Sequence, residues 1–421
     1  MNILIIEAYT DANVGSCSLV ENAIKILRLQ FPDSHIRIMA HEPTVFMELY
    51  GVESIKDIFE FPFLRPRLFQ LAWLCKTVIW MSACWMASSL FPSRLLTQGT
   101  VPFQRKLAPF LWADLVVSVG AERINDKFFK NIVFSLYLLA LVKRLGKKLV
   151  IFPSTIGPFF FNWSKWLAKR VLRTINLIYV RDELSEEITR DLIGPGVDNL
   201  FRTTDLAVLQ GGIPRHEALA MIPAGHEEQI VGISAMRWSY FKNRIETPYS
   251  NYEAYVQETA KLADTLIKEF KVRVVFYPTN FPLHGCREDD LATALEIMDR
   301  MTNRGGVTVI ESLPTPSQLK GMLACSELNV TTRMHACILS TGAAVPTISI
   351  NYLFKVREYM RSLGLEEFSV DIEEYHADWT LNTFRRIWPE RERWREHIHR
   401  VIEQKKEDLL RALERVHDLV R

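Results

Sequence analysis

Two side chains in the segment "TTRMHACILSTG", Thr331 to Gly342, could do chemistry: Arg333 and His335. They sit where an extended apolar run, "ELNVTT", gives way to a helical pattern that Gly342 closes. Folding needs only apolar residues and a cap at such a junction, so a guanidinium and an imidazole there call for a partner or a ligand. With Thr331 or Thr332 as N-cap, the first-turn amides and the helix dipole favour an anion. The planar Arg333 suits a carboxylate or phosphate, and His335 adds a group able to titrate near neutrality. Together they make an anion site with a proton donor beside it. The competing reading puts Arg333 in an internal ion pair and makes His335 a satisfied buried histidine, and spacing alone leaves both open.

Other polar residues read more simply. Asp289 and Asp290, after "HGCRE", could bind a metal or a sugar, but a polar helix start is the simpler account. His284 lies in the same loop as a further candidate ligand contact. Asp182 reads as a helix cap, and Asp205 as either structural or cleft-lining.

The elements that must position these groups follow from periodicity. "NILII", the helical "CSLVENAIKILRL" and the strand "HIRIMA" form one βαβ unit, and "ADLVVSVG", "KKLVIFPS" and "NLIYV" repeat the theme. A glycine-, proline- and histidine-rich stretch from Leu209 to Glu228 reads as an interdomain linker. A second series follows: "QIVGISA", "KVRVVFYP", "VTVI", "ELNVTT" and "VPTISIN", separated by helices such as "YEAYVQETAKLADTLIKEF" and "TPSQLKGMLACS". The tail from Glu390 is a charged amphipathic helix, with Trp394, Ile398, Val401, Leu409, Leu413 and Val416 on one stripe. The expected fold is α/β, two Rossmann-like domains with a central cleft, ligands sitting at strand C-termini. The expected domains are 1–208, with a hydrophobic insertion at about 61–95, and 209–421.

Composition bounds the rest. With 51 basic and 49 acidic side chains in 421 residues, net charge is +2 and gives no global field for nucleic acid. The six cysteines are scattered without zinc-ligand spacing, so a cytoplasmic protein with reduced thiols and no metal site is expected. "MNILIIEAYT" has no basic leader and reads as a first strand. The aromatic, basic-flanked region Phe61 to Arg94, with "FFFNWSKWLAKR" from Phe159, has two readings. It is either an insertion packed on the first domain or a peripheral surface meeting a lipid-linked sugar at the inner face of the cell membrane.

A resemblance joins these motifs. "TTRMHACILSTGAAVPTISINYLFK" resembles the C-terminal signature of the polysaccharide pyruvyltransferases, an R-x-H-x-x-I stretch followed by V-P-x-I-x-I-x-Y-x-x-K. "DANVGSCSLVENAI", "VSVGAERINDKFF", "STIGPF", "VRDELS", "DLAVL" and "VGISAMRW" are similar to that family's other motifs, in order, over residues 2 to about 372. The colanic acid pyruvyltransferase type is the most similar branch. The resemblance implies a GT-B-like enzyme that moves pyruvate from phosphoenolpyruvate, with no cofactor, onto two hydroxyls of a saccharide as a cyclic ketal. It implies His335, Arg333 and Arg237 as catalytic residues. It places Asn13, Gly15, Gly120, Asp126, Thr332, Met334, Tyr352 and Lys355 at the substrates. The first-domain loops, with Asp126, would hold the acceptor, and Arg237 and Arg333 the donor. Two loops depart from the family pattern: Ser16 replaces an aspartate, and Ala121 and Glu122 replace two glycines, which bears on the acceptor. The rival functions are a GT-B glycosyltransferase using a nucleotide sugar and a non-catalytic sugar-binding subunit of an envelope-glycan complex. The first would want a reader of base and ribose after "RMHACI", where none is clear.

Overall fold

The computed structural model describes residues 1–59, 62, 65–90, 102–126, 129–223, 229–238, 249–284, 286 and 288–421. Parts of the expected insertion (61, 63, 64 and 91–95, Arg94 among them) and of the expected linker (224–228) lie outside these residues. The chain separates into two compact units. The first is Met1–Tyr9 with Ala23–Thr203 and Ala412–Arg421; the second is Thr10–Asn22 with Thr204–Arg411. The division expected at residue 208 differs in three stretches: 10–22 and 204–208 go to the second unit, and 412–421 to the first.

In the first unit the strands are β1 Asn2–Ala8, β2 His35–Ala40, β3 Glu53–Lys56, β4 Leu115–Ser118, β5 Ala121–Ile124, β6 Lys148–Ile156, β7 Leu177–Val180 and β8 Leu200–Arg202. The sheet runs β3-β2-β1-β4-β6-β7-β8, with β5 pairing β6 off this path, and every pair is parallel. Buried continuous runs such as "NILIIEA" and "KLVIFPSTI" suit a sheet covered on both faces. Strand order reverses between β1 and β4, the switch point at which such sheets take ligands beyond their C-termini.

In the second unit the strands are β9 Ile230–Ser234, β10 Arg273–Phe276, β11 Val307–Val309, β12 Leu328–Thr331, β13 Thr347–Asn351 and β14 Ser369–Asp371. Their order is β11-β10-β9-β12-β13-β14, again all parallel. Val14, brought in with the N-terminal loop, packs in this unit's core beside Val275, Tyr277 and Leu319. The helix Pro316–Ala324 opens with a full capping box, Thr315 Oγ1 accepting from Gln318 N and Gln318 Oε1 from Thr315 N. The last helix, Arg391–Val420, buries Ile398, Ile402, Leu409, Leu413 and Val416; Ile402 takes the buried place expected for the half-buried Val401.

Candidate active site

The C-terminal edge of the second sheet gathers most of the expected residues. Arg237 follows β9, Arg333 and His335 follow β12, and Tyr352 and Lys355 follow β13. The helix that begins here spans Met334–Gly342, with Arg333 at the N-cap position and no side-chain cap. Thr331 and Thr332 therefore do not cap it. Thr331 ends β12, and Thr332 is buried, its hydroxyl 2.9 Å from the Tyr255 hydroxyl and its amide donating to Ser234 O. Met334 is likewise buried in the wall.

Arg333 is an internal ion-pair member. Its Nε lies 3.2 and 3.1 Å from the two Asp290 oxygens, Nη2 lies 2.6 Å from Asp290 Oδ1, and Nη1 lies 2.7 Å from Glu288 Oε2. Asp290 also accepts from Thr279 N, Thr279 Oγ1 and Asn280 N. Burial acts to raise the Asp290 carboxyl, but this set of donors, a guanidinium among them, favours the ionised form. Burial also opposes the charge of Arg333, and the two carboxylates more than offset it, so the guanidinium stays above its ordinary range. Arg333, expected at the donor's anion, here fastens the Thr279–Asp290 loop under the start of the helix. Of the paired aspartates, Asp289 is the helix cap, accepting from Ala292 N at 2.8 Å, while Asp290 opens the helix and faces Arg333.

The N-terminal loop completes this surface. Asn13 bridges Asn280 in antiparallel fashion, Val14 N donates to Thr279 O, and Phe281 N donates to Ala12 O. Asn13 Oδ1 accepts from Ser16 N at 2.9 Å, starting the helix Val14–Gln30. A Cβ built on Gly15 would fall 2.2 Å from His335 Nδ1, so the absent side chain is what lets the imidazole lie there. Asn13 and Gly15, expected on the acceptor side, therefore stand in the second unit beside His335. His284, at φ 46, sets Nδ1 2.7 Å from Asp11 Oδ1 of the same loop. Sequence reasoning missed Tyr255, whose hydroxyl joins Met236 N, before Arg237, to Thr332, before Arg333. Burial pushes this phenol up to about 12, so it remains a neutral donor. Arg237 itself is exposed, its Cζ 5.5 Å from the Tyr252 ring centroid, and Lys355 Nζ lies 5.8 Å from that of Tyr352.

The first unit holds the remaining expected residues. Asp126, expected at the acceptor, is fully buried and accepts from Phe160 N, Phe161 N and Ser164 Oγ, so it anchors the start of the helix Asn162–Leu172. Gly120 has φ 88, and a Cβ there would meet Ser154 Oγ at 2.6 Å and Pro153 O at 2.7 Å. Ala121 holds φ 76 where a glycine would be easier. Asp182 and Asp205 both cap, accepting from Ser185 N and Ala207 N. A carboxylate not singled out from the sequence stands at the switch point: Glu7, next to last in β1, has φ 66 and accepts from Ser118 Oγ at the end of β4. It is buried, and among the described residues its Oε1 has no hydrogen-bond partner. Nearby, burial raises the Asp57 carboxyl, Arg123 pulls it down and Glu7 pushes it up. The available signal was a carboxylate ending an otherwise apolar strand.

Comparisons with known proteins bear on the family and the fold. AmsJ, an amylovoran biosynthesis protein of Erwinia amylovora, is 24% identical over 384 residues, covering 89% of this chain and 88% of AmsJ. A putative UDP-N-acetylglucosamine 2-epimerase from Listeria monocytogenes has TM-score 0.56 at 11% identity, covering 94% of this chain and 90% of that one. A glycosyltransferase from Rickettsia africae has TM-score 0.57 at 9% identity, covering 100% of this chain and 98% of that one. At such identities the likeness establishes the fold alone, a GT-B-like pair of parallel α/β units. A family model described as polysaccharide pyruvyl transferase matches residues 13–353, from the loop at His335 through β13, and the chain belongs to that family.

Proposed function

We propose that this chain moves a pyruvyl group from phosphoenolpyruvate onto two hydroxyls of a saccharide, forming a cyclic ketal in exopolysaccharide or envelope-glycan synthesis. One observation carries the reading: Gly15 yields its side-chain space to His335, so two distant family motifs form one surface at an uncapped helix start. His335 delivers a proton to the donor's methylene carbon, and C2 becomes electrophilic. A first hydroxyl adds to C2, the C–O bond to phosphate breaks, and the second hydroxyl closes the ring. Of the two hydroxyl protons, one balances that on the new methyl and the other leaves with phosphate. Exposed Arg237 and the first-turn amides of the helix Met334–Gly342 receive the donor's anionic groups, while Arg333 holds the helix start in place. A colanic-acid-type saccharide and an amylovoran-type one, after the name of AmsJ, are the acceptors to try first.

The test pairs calorimetry with turnover. Phosphoenolpyruvate should bind and a UDP-sugar should not; the reverse result makes the chain a nucleotide-sugar enzyme. His335→Gln keeps hydrogen-bonding ability without a deliverable proton. It should retain donor affinity and lose on the order of 10²–10⁴ in turnover. Near-normal turnover would make His335 a binding or packing residue.

A further inference from the structure

The helix Arg67–Leu90 is long and apolar enough to cross a membrane, yet one side of it is fastened along the first unit. Thr77, Cys84 and Ala87 are buried there, the Tyr137 hydroxyl donates to Met81 O at 2.7 Å, and Arg144 Nε donates to Ser88 Oγ at 3.0 Å. The other side is bare: Leu68 is 82% exposed, Ile79 70% and Met86 58%. Before and within the helix Asn162–Leu172, Phe160 is 54% exposed and Trp166 55%. An open apolar cavity of about 460 Å³ lies among these elements, lined by Val78, Met81, Trp85, Met86, Leu136 and Leu167. Cations sit on the exposed rings, Arg170 Cζ 4.1 Å from the Trp166 centroid and Arg144 Cζ 4.5 Å from that of Trp85.

The charge of the same stretches selects the occupant. Residues 61–113 carry six Lys/Arg and 127–181 carry eleven, and neither stretch contains one Asp or Glu, in a chain whose totals are 51 basic and 49 acidic. A second copy of this face would bring the same sign of charge and repel. An anionic bilayer matches both halves of the pattern, an exposed apolar face and a surplus of basic residues in the same stretches of sequence. We infer that the first unit docks on an anionic lipid surface. The helix Arg67–Leu90 lies in the interfacial plane, the aromatic rings enter at headgroup depth, and the cavity receives part of an acyl chain.

Flotation of the full chain with vesicles reads this without any assay of pyruvyl transfer, so its failure is separate from failure of the proposed reaction. The chain should float with phosphatidylcholine–phosphatidylglycerol vesicles at low salt and much less with phosphatidylcholine alone. High salt should weaken binding at least about tenfold. The double variant Ile79→Ser, Met86→Ser alters only exposed side chains and should also lose about tenfold or more, with its unfolding midpoint unchanged. No flotation with anionic vesicles, or flotation indifferent to the double variant, overturns the inference. So does a dimer in sedimentation that the same variant dissociates, since a second copy then covers the face.

Discussion

Replacing Arg333 with alanine leaves Asp290 buried with its counter-charge removed. Breaking one partner of such a pair costs about 3–5 kcal/mol, so equilibrium denaturation of Arg333→Ala should show a loss of that order. A normal midpoint with lost donor affinity would instead make Arg333 a donor ligand. Gly15→Ala tests the other contact, because its Cβ falls within 2.2 Å of the imidazole. It should lower turnover as His335→Gln does, and calorimetry should find donor affinity nearly kept. The sequence marked Arg333 and His335 as needing partners and could not say which. Asp290 is 43 residues from Arg333, and nothing local encodes that pairing. Glu7 was hidden because the apolar pattern reads as a strand only through "NILII", while β1 runs on to Ala8.

At the scale of elements, the helix Pro316–Ala324 carries a pH signature. Lys320 is buried, its Nζ donates to Gln210 O at 2.5 Å, and burial pulls it down to about 8 from an ordinary value of 10.5. Between those values the unfolded chain holds the proton and the folded chain has released it, so stability rises with pH across that window. Lys320→Met should flatten that rise, measured as denaturation midpoints from neutral pH to above 10.5. The long buried strands were legible from their apolar runs. β3, β5, β8 and β14 were not, being three or four residues each and lying at sheet edges or off the main path. So short a run carries too little period to separate strand from loop. Thr332 reads as a cap by type, but its hydroxyl is bonded to Tyr255, a tertiary partner that outranks local preference.

For the whole molecule, two α/β series were readable because the strand and helix patterns alternate throughout. Their exact membership was not, since compactness depends on contacts far apart in the chain. Thr10–Asn22 belongs to the second unit although the chain on both sides of it belongs to the first, and Ala412–Arg421 returns to the first. The return is fastened: Gln30 Nε2 donates to Leu413 O, the Tyr179 hydroxyl to Ala412 O, and Lys148 Nζ to Leu419 O. That interlacing bears on how the protein is made. During synthesis the first unit emerges early but lacks its last helical turns until residues past 412 leave the ribosome. The loop carrying Gly15 emerges among the first residues and waits for β10 and β12 before it has anything to pack on. A nascent chain stalled near residue 208 should therefore be more open to protease at 10–22 than the finished protein. The surface around His335 is among the last parts of the molecule to exist.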